Sequence, residues 1–211
     1  RAGRGQRLDV KDIVALFSAR GADFDRICRS ADAIRKDVVG DTVTYAVNRN
    51  INYTNVCGYH CQFCAFSKGR LARSLRGDPY DIPVEEVVRR SAEAWSRGAT
   101  EVCLQGGIHP DYTGETYLTI AREIRKALPR MHIHAFSPLE ISQGAATLGL
   151  GVAEFLRELQ AAGLATLPGT AAEILCDDVR ATLCPDKLSS AAWLAVMETA
   201  HGLGIRTTAT I

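Results

Sequence analysis

Short apolar runs alternate with amphipathic segments along most of this chain, and the alternation predicts its secondary structure. Segments whose apolar residues recur every three or four positions, bounded by Pro or Gly, predict helices. These cover residues 10–20, 23–36, 81–97, 116–128, 152–162 and 189–202, with a further helical segment after Gly169. Apolar or β-branched runs between turn residues predict five strands. These cover residues 42–47, 101–105, 132–136, 164–167 and 206–211.

The regular succession of strand and helix predicts the fold class. Repeated βα units with hydrophobic strands indicate an α/β fold with a parallel sheet, right-handed crossovers and helices on the outside. A TIM-like barrel is the natural closure of such a sheet. We expect residues 1–40 to be a helical lead-in and residues 41–211 to form the barrel.

Composition and charge narrow the function only a little. The 211 residues are 46% hydrophobic, which is enough chain for one domain with a real core. Lys and Arg number 25 against 24 for Asp and Glu, so the charge gives no case for nucleic acid or an anionic membrane as partner. No apolar run approaches the ~18 residues of a membrane-spanning helix. We expect a cytoplasmic protein.

Three cysteines in a short loop carry the main chemical signal. Cys57, Cys61 and Cys64 follow the first predicted strand with three and then two residues between them. An iron–sulfur cubane held entirely by protein takes four thiolates, so three leave one iron open to an outside ligand. The aromatic residues Phe63 and Phe66 beside the last cysteine suit a cluster that must be shielded from water.

Other readings of the cysteine loop are weaker. A structural zinc site needs four closed ligands, and His60 would have to double back to join the same metal as its neighbour Cys61. A disulfide framework is disfavoured by the odd count of seven cysteines.

The loop resembles that of radical S-adenosylmethionine (SAM) enzymes, whose open iron is chelated by the amino and carboxylate groups of SAM. The blocks NRNINYTNVC, CAFSKG, LQGGIHPD, IHAFSP, LPGTAAEIL and CPDK resemble, within that superfamily, the tyrosine-using subunit or half of FO synthase. FO is the deazaflavin chromophore of coenzyme F420. The superfamily's barrels have six or more strands, so we expect a partial barrel truncated after the fifth strand, in a fragment of a longer polypeptide.

The resemblance implies a concrete reaction. A reduced [4Fe–4S] cluster held by three cysteines cleaves SAM to methionine and a 5′-deoxyadenosyl radical, which removes a hydrogen atom from L-tyrosine. Side-chain cleavage then splits tyrosine into a 4-hydroxybenzyl radical and an imino-acid fragment, and the radical adds to 5-amino-6-(D-ribitylamino)uracil. The implied partners are a ring-closing FO synthase protein or fused domain, and an electron donor such as ferredoxin or flavodoxin.

Residues that directly follow the strands are the candidates for cofactor binding, because parallel barrels place their sites at the carboxyl ends of strands. Gln105, Gly106 and Gly107 follow the second strand, and the resemblance makes this the turn that receives the methionine end of SAM. Glu173, after the fourth strand, is the candidate for the ribose or amino group of SAM. Phe63 completes the cofactor set.

Four further residues are candidates for contact with substrate. Asn50 lies on the approach to the cysteines, His134 and Ser137 lie at the end of the third strand, and Thr170 follows the fourth. His132 shares a face with His134 but lies deeper. A structural alternative is that Thr170 caps a helix and Glu173 completes a capping box.

Competing functions share much of this pattern. The radical SAM enzymes of the futalosine route to menaquinone and the ring-closing half of FO synthase have the same barrel and cluster. A non-catalytic iron–sulfur or zinc module is the alternative from another class.

Overall fold

A computed structural model describes residues 1–59, 61–64, 78–170 and 172–210 and divides the chain into two compact units, Arg1–Tyr45 and Ala46–Ile211. The first unit holds a short 3-10 helix, Ala2–Arg4, and the helices α1, Val10–Ser18, and α2, Ala22–Val39. No residue of α1 or α2 is buried.

The second unit is built on one parallel sheet whose strands lie in sequence order. The strands are β1, Asn48–Asn52; β2, Glu101–Gln105; β3, His132–Ala135; β4, Leu164–Leu167; and β5, Arg206–Thr207. The helices are α3, Val84–Ser96; α4, Gly114–Ala127; α5, Pro138–Thr147; α6, Val152–Ala162; α7, Asp177–Leu183; and α8, Ser190–Gly202. The predicted α/β fold with parallel strands forming part of a barrel is confirmed.

The hydrophobic core lies between the outer face of the sheet and the helices. Alternate strand residues point to this face because side chains alternate along a strand. Those buried there are Ile51, Val102, Leu104, Ile133 and Ala135. Helix α4 supplies Tyr117, Leu118, Ala121 and Ile124 to the same core. These contacts fix the strands and therefore the loops that follow them.

The inner face of the sheet is polar. We call residues that lie opposite one another on neighbouring strands a level. The strand register arranges the inward side chains in three such levels. The levels are Asn48, Glu101 and His132; Asn50, Cys103, His134 and Thr166; and Asn52 with Gln105. Barrel interiors are usually filled by branched apolar side chains. A polar interior indicates a face that meets ligand or water.

A bulge in β4 sets Thr166 against both histidines of β3. The register passes from Ile133 opposite Leu164 to His134 opposite Thr166. Bulges commonly re-aim a side chain in this way. Oγ1 of Thr166 lies 2.8 Å from Nε2 of His132 and 2.7 Å from Nδ1 of His134.

The prediction for the first strand was wrong in position. Residues 42–47 form no strand, and Val43 and Tyr45 are 88% and 87% exposed. The strand is Asn48–Asn52, which sequence propensity disfavours because asparagine is depleted in strands. Contacts of its outward-facing residues stabilise this strand: Ile51 is buried in the core, and Arg49 forms an ion pair with Glu93 of α3 at 2.9 Å.

Two other elements differ from expectation. Helix α5 was not predicted, because its buried Gly144 and Ala145 blur the amphipathic pattern. The signal for it was the capping sequence Ser137–Pro138–Leu139–Glu140, with a cap, a proline at the first helical position and an acid.

The fifth strand covers only Arg206–Thr207. Beyond it, the backbone amides of Thr208 and Thr210 still donate to the carbonyls of Leu167 and Gly169. Ile211 lies outside the described residues.

Within the described part of the chain, every helix is too short or too polar to cross a lipid bilayer.

Candidate cofactor and substrate site

Two polar side chains anchor the start of the cysteine loop. Thr54 and Asn55, directly after β1, are 0% and 4% exposed. Thr54 donates its hydroxyl hydrogen to the Tyr80 carbonyl at 2.8 Å, and the Asn55 side-chain oxygen accepts the Tyr80 amide at 2.8 Å. The Asn55 amide also donates to the Asp78 carbonyl at 3.3 Å. These bonds join the chain before the cysteines to the chain that returns from residue 78.

The cysteine loop itself rests on two neighbouring segments. The amide of Gly58 donates to the Ile108 carbonyl at 2.9 Å, and the amide of Ile108 donates to Sγ of Cys57 at 3.3 Å. The amide of Gln62 donates to the Leu183 carbonyl at 2.9 Å. The loop is thus attached to the turn after β2 and to the end of α7. His60 and Phe66 lie outside the described residues.

One cavity of about 320 Å³ gathers most of the predicted site residues. The three cysteines line it together with the loop after β2, the start of α5 and the segment after β4. The predicted residues that line it are Asn50, Cys57, Cys61, Phe63, Cys64, Gln105, Gly106, Gly107, Ser137, Thr170 and Glu173. The carboxyl ends of four strands therefore converge on one site.

The glycines after β2 permit a close approach of two backbones. A Cβ on Gly107 would lie 2.2 Å from the carbonyl oxygen of Val56, and one on Gly106 would lie 2.3 Å from the Tyr53 ring. No larger residue fits either position without movement of its neighbours. The turn after β2 can therefore pack directly against the chain that enters the cysteine loop.

Lys187 was not assigned a role from the sequence, although it belongs to the CPDK block. Its ammonium lies 3.2 Å from Oε1 of Glu173 and 5.3 Å from the centre of the Phe63 ring. Burial by itself lowers the pKa of Lys187, but the charges of Glu173 and Cys61 outweigh burial and raise it. Burial raises the pKa of the Cys61 thiol to about 11, and Lys187 opposes that shift. Lys187 thus places a fixed cation beside the thiols of the cavity.

Glu173 presents one carboxylate oxygen that has no partner in the described part of the chain. Oε1 accepts from Lys187, whereas Oε2 is buried and unbonded among the described residues. The backbone of Glu173 has φ of 41°, a conformation that is rare for residues other than glycine. The alternative that Thr170 and Glu173 form a capping box was wrong, because α7 begins at Asp177 with Cys176 as its cap.

A buried carboxylic group below the cavity ties three strand ends together. Glu140 of α5 is 1% exposed, and it accepts hydrogen bonds from the Tyr53 hydroxyl and, at 2.6 Å, from the Ser137 amide. The Gly106 amide also bonds to this carboxyl group. Burial raises the pKa of Glu140, and the bonds from Ser137 and Tyr53 oppose that shift. Sequence reasoning missed this residue along with its helix.

His134 does not lie in the cavity of the cysteines. It lines a second cavity of about 250 Å³ together with Glu101, His132, Thr166 and Arg206. Asn50 of the first cavity and His134 of the second lie at the same register level, on either side of Cys103 of β2.

Family comparison agrees with this geometry. The model of the Radical SAM superfamily matches residues 51–211, which include the whole sheet from the end of β1 onward. The chain belongs to the radical SAM superfamily. Membership implies a [4Fe–4S] cluster and SAM as cofactors.

Curated relatives show which members of the superfamily this chain is similar to. The chain is 48% identical over 205 residues to a protein named FO synthase from Streptomyces coelicolor, and these residues are 97% of the chain and 23% of that protein. It is 43% identical over 201 residues to the 5-amino-6-(D-ribitylamino)uracil–L-tyrosine 4-hydroxyphenyl transferase of Methanothermobacter thermautotrophicus, covering 95% of the chain and 54% of that protein. The chain thus spans between about a quarter and a half of the length of these relatives.

Solved structures support the fold. Methylornithine synthase (PylB) aligns with a TM-score of 0.69 at 16% identity, over 97% of this chain and 56% of that one. The [FeFe]-hydrogenase maturase HydG from Carboxydothermus hydrogenoformans aligns with a TM-score of 0.69 at 19% identity, over 96% of this chain and 44% of that one.

The residues of the radical SAM cavity fit the cofactors that the superfamily implies. In the described residues, no three Cys, His, Asp or Glu side chains converge as a single metal ion would require. A cubane makes a different demand, because each thiolate binds a separate iron. Three thiols spread around one cavity wall meet that demand. The buried Oε2 of Glu173 in the same cavity is a ready acceptor for a polar group of SAM.

Proposed function

We propose that this chain is the radical SAM part of a 5-amino-6-(D-ribitylamino)uracil–L-tyrosine 4-hydroxyphenyl transferase, acting in FO and coenzyme F420 biosynthesis. The observation that carries the proposal is the convergence of Cys57, Cys61 and Cys64 with the Gly106–Gly107 turn and Glu173 on one cavity. The 43% identity to a transferase of that name supplies the choice of substrates.

The three cysteines would hold the [4Fe–4S] cluster and leave one iron for SAM. When bound, these cofactors supply one-electron chemistry that yields a carbon radical able to remove a hydrogen atom from tyrosine. Phe63 lines the cavity, where its ring would limit the access of water to the cluster. Lys187 balances the negative charge that thiolates bring into this partly buried place.

The protein's contribution to the reaction is orientation. The backbone of Gly106 and Gly107 and the Oε2 atom of Glu173 would receive polar groups of SAM. Asn50, Ser137 and Thr170 line the same cavity, where they would meet tyrosine or the pyrimidine. Holding reactants in a near-attack geometry and keeping out water is the main service that a cofactor enzyme gives its cofactor.

The test uses the full-length protein that contains these residues, reconstituted with iron and sulfide without oxygen. We expect about four irons per chain, SAM-dependent formation of 5′-deoxyadenosine, and consumption of tyrosine only when the ribitylaminouracil is present. Cys57→Ala, Cys61→Ala and Cys64→Ala should each abolish all three. Cys28→Ser is the matched control, because Cys28 is exposed in the other unit and should retain iron and activity.

The same assay separates the competing functions. Modification of a futalosine-type substrate would indicate an enzyme of the futalosine route. Ring closure of a preformed adduct without tyrosine would indicate the ring-closing half of FO synthase. Stoichiometric zinc without iron would indicate a structural module. Ferredoxin or flavodoxin is the proposed electron donor, and a ring-closing FO synthase protein or domain is the proposed partner.

A further inference from the structure

We propose that the second cavity, lined by Glu101, His132, His134, Thr166 and Arg206, binds the polyhydroxylated ribityl chain of the pyrimidine substrate. The inference rests on the proposed function and adds the location and the contacts of one part of one substrate.

The size of the cavity suits part of a ligand. Its volume is about 250 Å³, whereas sites for complete drug-sized ligands usually have roughly 300 to 1,000 Å³. The levels of His132 and His134 are two residues apart along β3, which is about 7 Å at a rise of about 3.3 Å per residue. An extended five-carbon chain spans a similar length.

The position of the cavity allows one molecule to occupy both sites. Asn50 and Gln105 line the cavity of the cysteines; His134 lies at the level of Asn50, one level nearer the start of the strands than Gln105. A pyrimidine beside Asn50 would therefore direct its substituent along the inner face of the sheet toward Glu101 and His132.

The side chains present both donors and acceptors, as hydroxyl groups require. Thr166 bonds to one ring nitrogen of each histidine. Within the described part of the chain, Nε2 of His134 makes no hydrogen bond. Burial lowers the pKa of His134, so the ring is neutral at neutral pH and carries one donor and one acceptor. Glu101 adds acceptor oxygens, and Arg206 adds donors.

The charges disfavour other ligands. A phosphate would meet Arg206 but also the carboxylate of Glu101, and like charges repel. An apolar group such as the tyrosine ring would cover polar atoms of Glu101, His132 and Arg206 without bonding to them. A neutral polyol fits the mixture of Glu101, two histidines and a threonine.

Binding heats of two compounds test the proposal on the full-length protein without oxygen and without turnover. One compound is 5-amino-6-(D-ribitylamino)uracil, and the other is 5,6-diaminouracil, which lacks the polyol. The ribityl compound should bind more tightly. His134→Ala and Glu101→Gln should each weaken its binding by about 2- to 10-fold, the value of one hydrogen bond, and leave the binding of diaminouracil unchanged.

Two controls guard the result. Glu93→Gln makes the same charge change on the outer face, where Glu93 pairs with Arg49, and should alter neither binding constant. Thr166→Val removes the hydroxyl that holds both histidines and gives a second variant should one of the others fail to fold. It should again weaken only the ribityl compound.

Several outcomes would overturn the proposal. One is that a variant weakens the binding of both compounds equally. Others are that the wild-type protein binds the ribityl compound no more tightly than diaminouracil, or that His134→Ala weakens the binding of L-tyrosine. Each of these results, in a protein that still forms the tyrosine-dependent adduct, would contradict the assignment of the ribityl chain to this cavity. Failure of the wild-type protein to bind either pyrimidine and to form any adduct would overturn the proposed function as well.

Discussion

The two faces of the sheet have opposite characters, although they belong to the same five strands. The outer face buries Ile51, Leu104 and Ile133 against the helices. The inner face carries asparagine, glutamine, glutamate and histidine at the intervening positions. Parallel strands are usually apolar on both faces because both are covered.

The difference separates stability from function. Burial of apolar surface on the outer face stabilises the fold, and the geometry of the inner face and the strand ends positions cofactor and substrate. Substitutions on the two faces should therefore affect different measurements. Glu140 and the glycines after β2 lie where the two regions meet, and they should affect both.

The largest effect on stability is expected on the outer face. Leu104→Ala removes a fully buried side chain and should lower the free energy of unfolding by about 2 to 5 kcal/mol. The matched substitution is Cys103→Ala, at the neighbouring position on the inner face. It should lower the free energy of unfolding by about 1 kcal/mol or less. Urea unfolding measures both. Equal losses would mean that the inner face is also packed core.

A substitution at the turn after β2 should affect both stability and the site. Gly107→Ala places a Cβ against the Val56 backbone and should cost about 1 to 3 kcal/mol. The shifted cysteine loop should also retain less iron, as measured on the reconstituted protein. Gly202→Ala is the control, because a Cβ there meets open space in a helix and should stabilise by about 0.4 to 1 kcal/mol.

Glu140→Gln tests the buried carboxylic group below the cavity. The amide keeps one acceptor oxygen but turns an NH₂ group toward a donor, the amide of Ser137 or Gly106, and should cost about 1 to 2 kcal/mol. Glu123→Gln, which loses only an exposed ion pair with Lys126, should change stability by less than about 0.5 kcal/mol. Equal effects of the two variants in thermal unfolding would refute the structural role of Glu140.

The smallest effect concerns pH. Burial lowers the pKa of His134 in the folded protein below its usual 6.5, so the unfolded chain binds a proton first as pH falls. Stability should therefore decrease as pH falls below about 6.5, by a small amount because the ring is only half-buried. His134→Gln should show a weaker decrease between about pH 7.5 and 5.5 in urea unfolding. An unchanged pH profile would count against a neutral His134.

The sequence predicted the elements that have regular patterns. The βα repeats from residue 81 onward have apolar strands between Gly and Pro, so their order and parallel arrangement followed from periodicity. The first strand was misplaced because its asparagines face a polar interior, and only the packed sheet explains their presence. Helix α5 was missed because it is buried on several sides and has no clear polar face.

The candidate site shows the same limit. Cys57, Cys61 and Cys64 were visible from spacing, and the strand-end rule found most of the cavity wall. Lys187 and Glu140 were not found: the pairing of Lys187 with Glu173 and that of Glu140 with Tyr53 follow from the fold, and the local signal for Glu140, the capping sequence that begins at Ser137, was overlooked. His134 was placed on the correct face, yet the two separate cavities on that face follow only from the register and the bulge at Thr166.

The electron paramagnetic resonance spectrum of the reduced, reconstituted full-length protein tests the central claim most directly. A cluster held by Cys57, Cys61 and Cys64 has one open iron, so addition of SAM should shift the g-values of the reduced signal. The signal should be absent in Cys61→Ala. A spectrum that SAM leaves unchanged, or a cluster with a fourth protein ligand, would contradict the account.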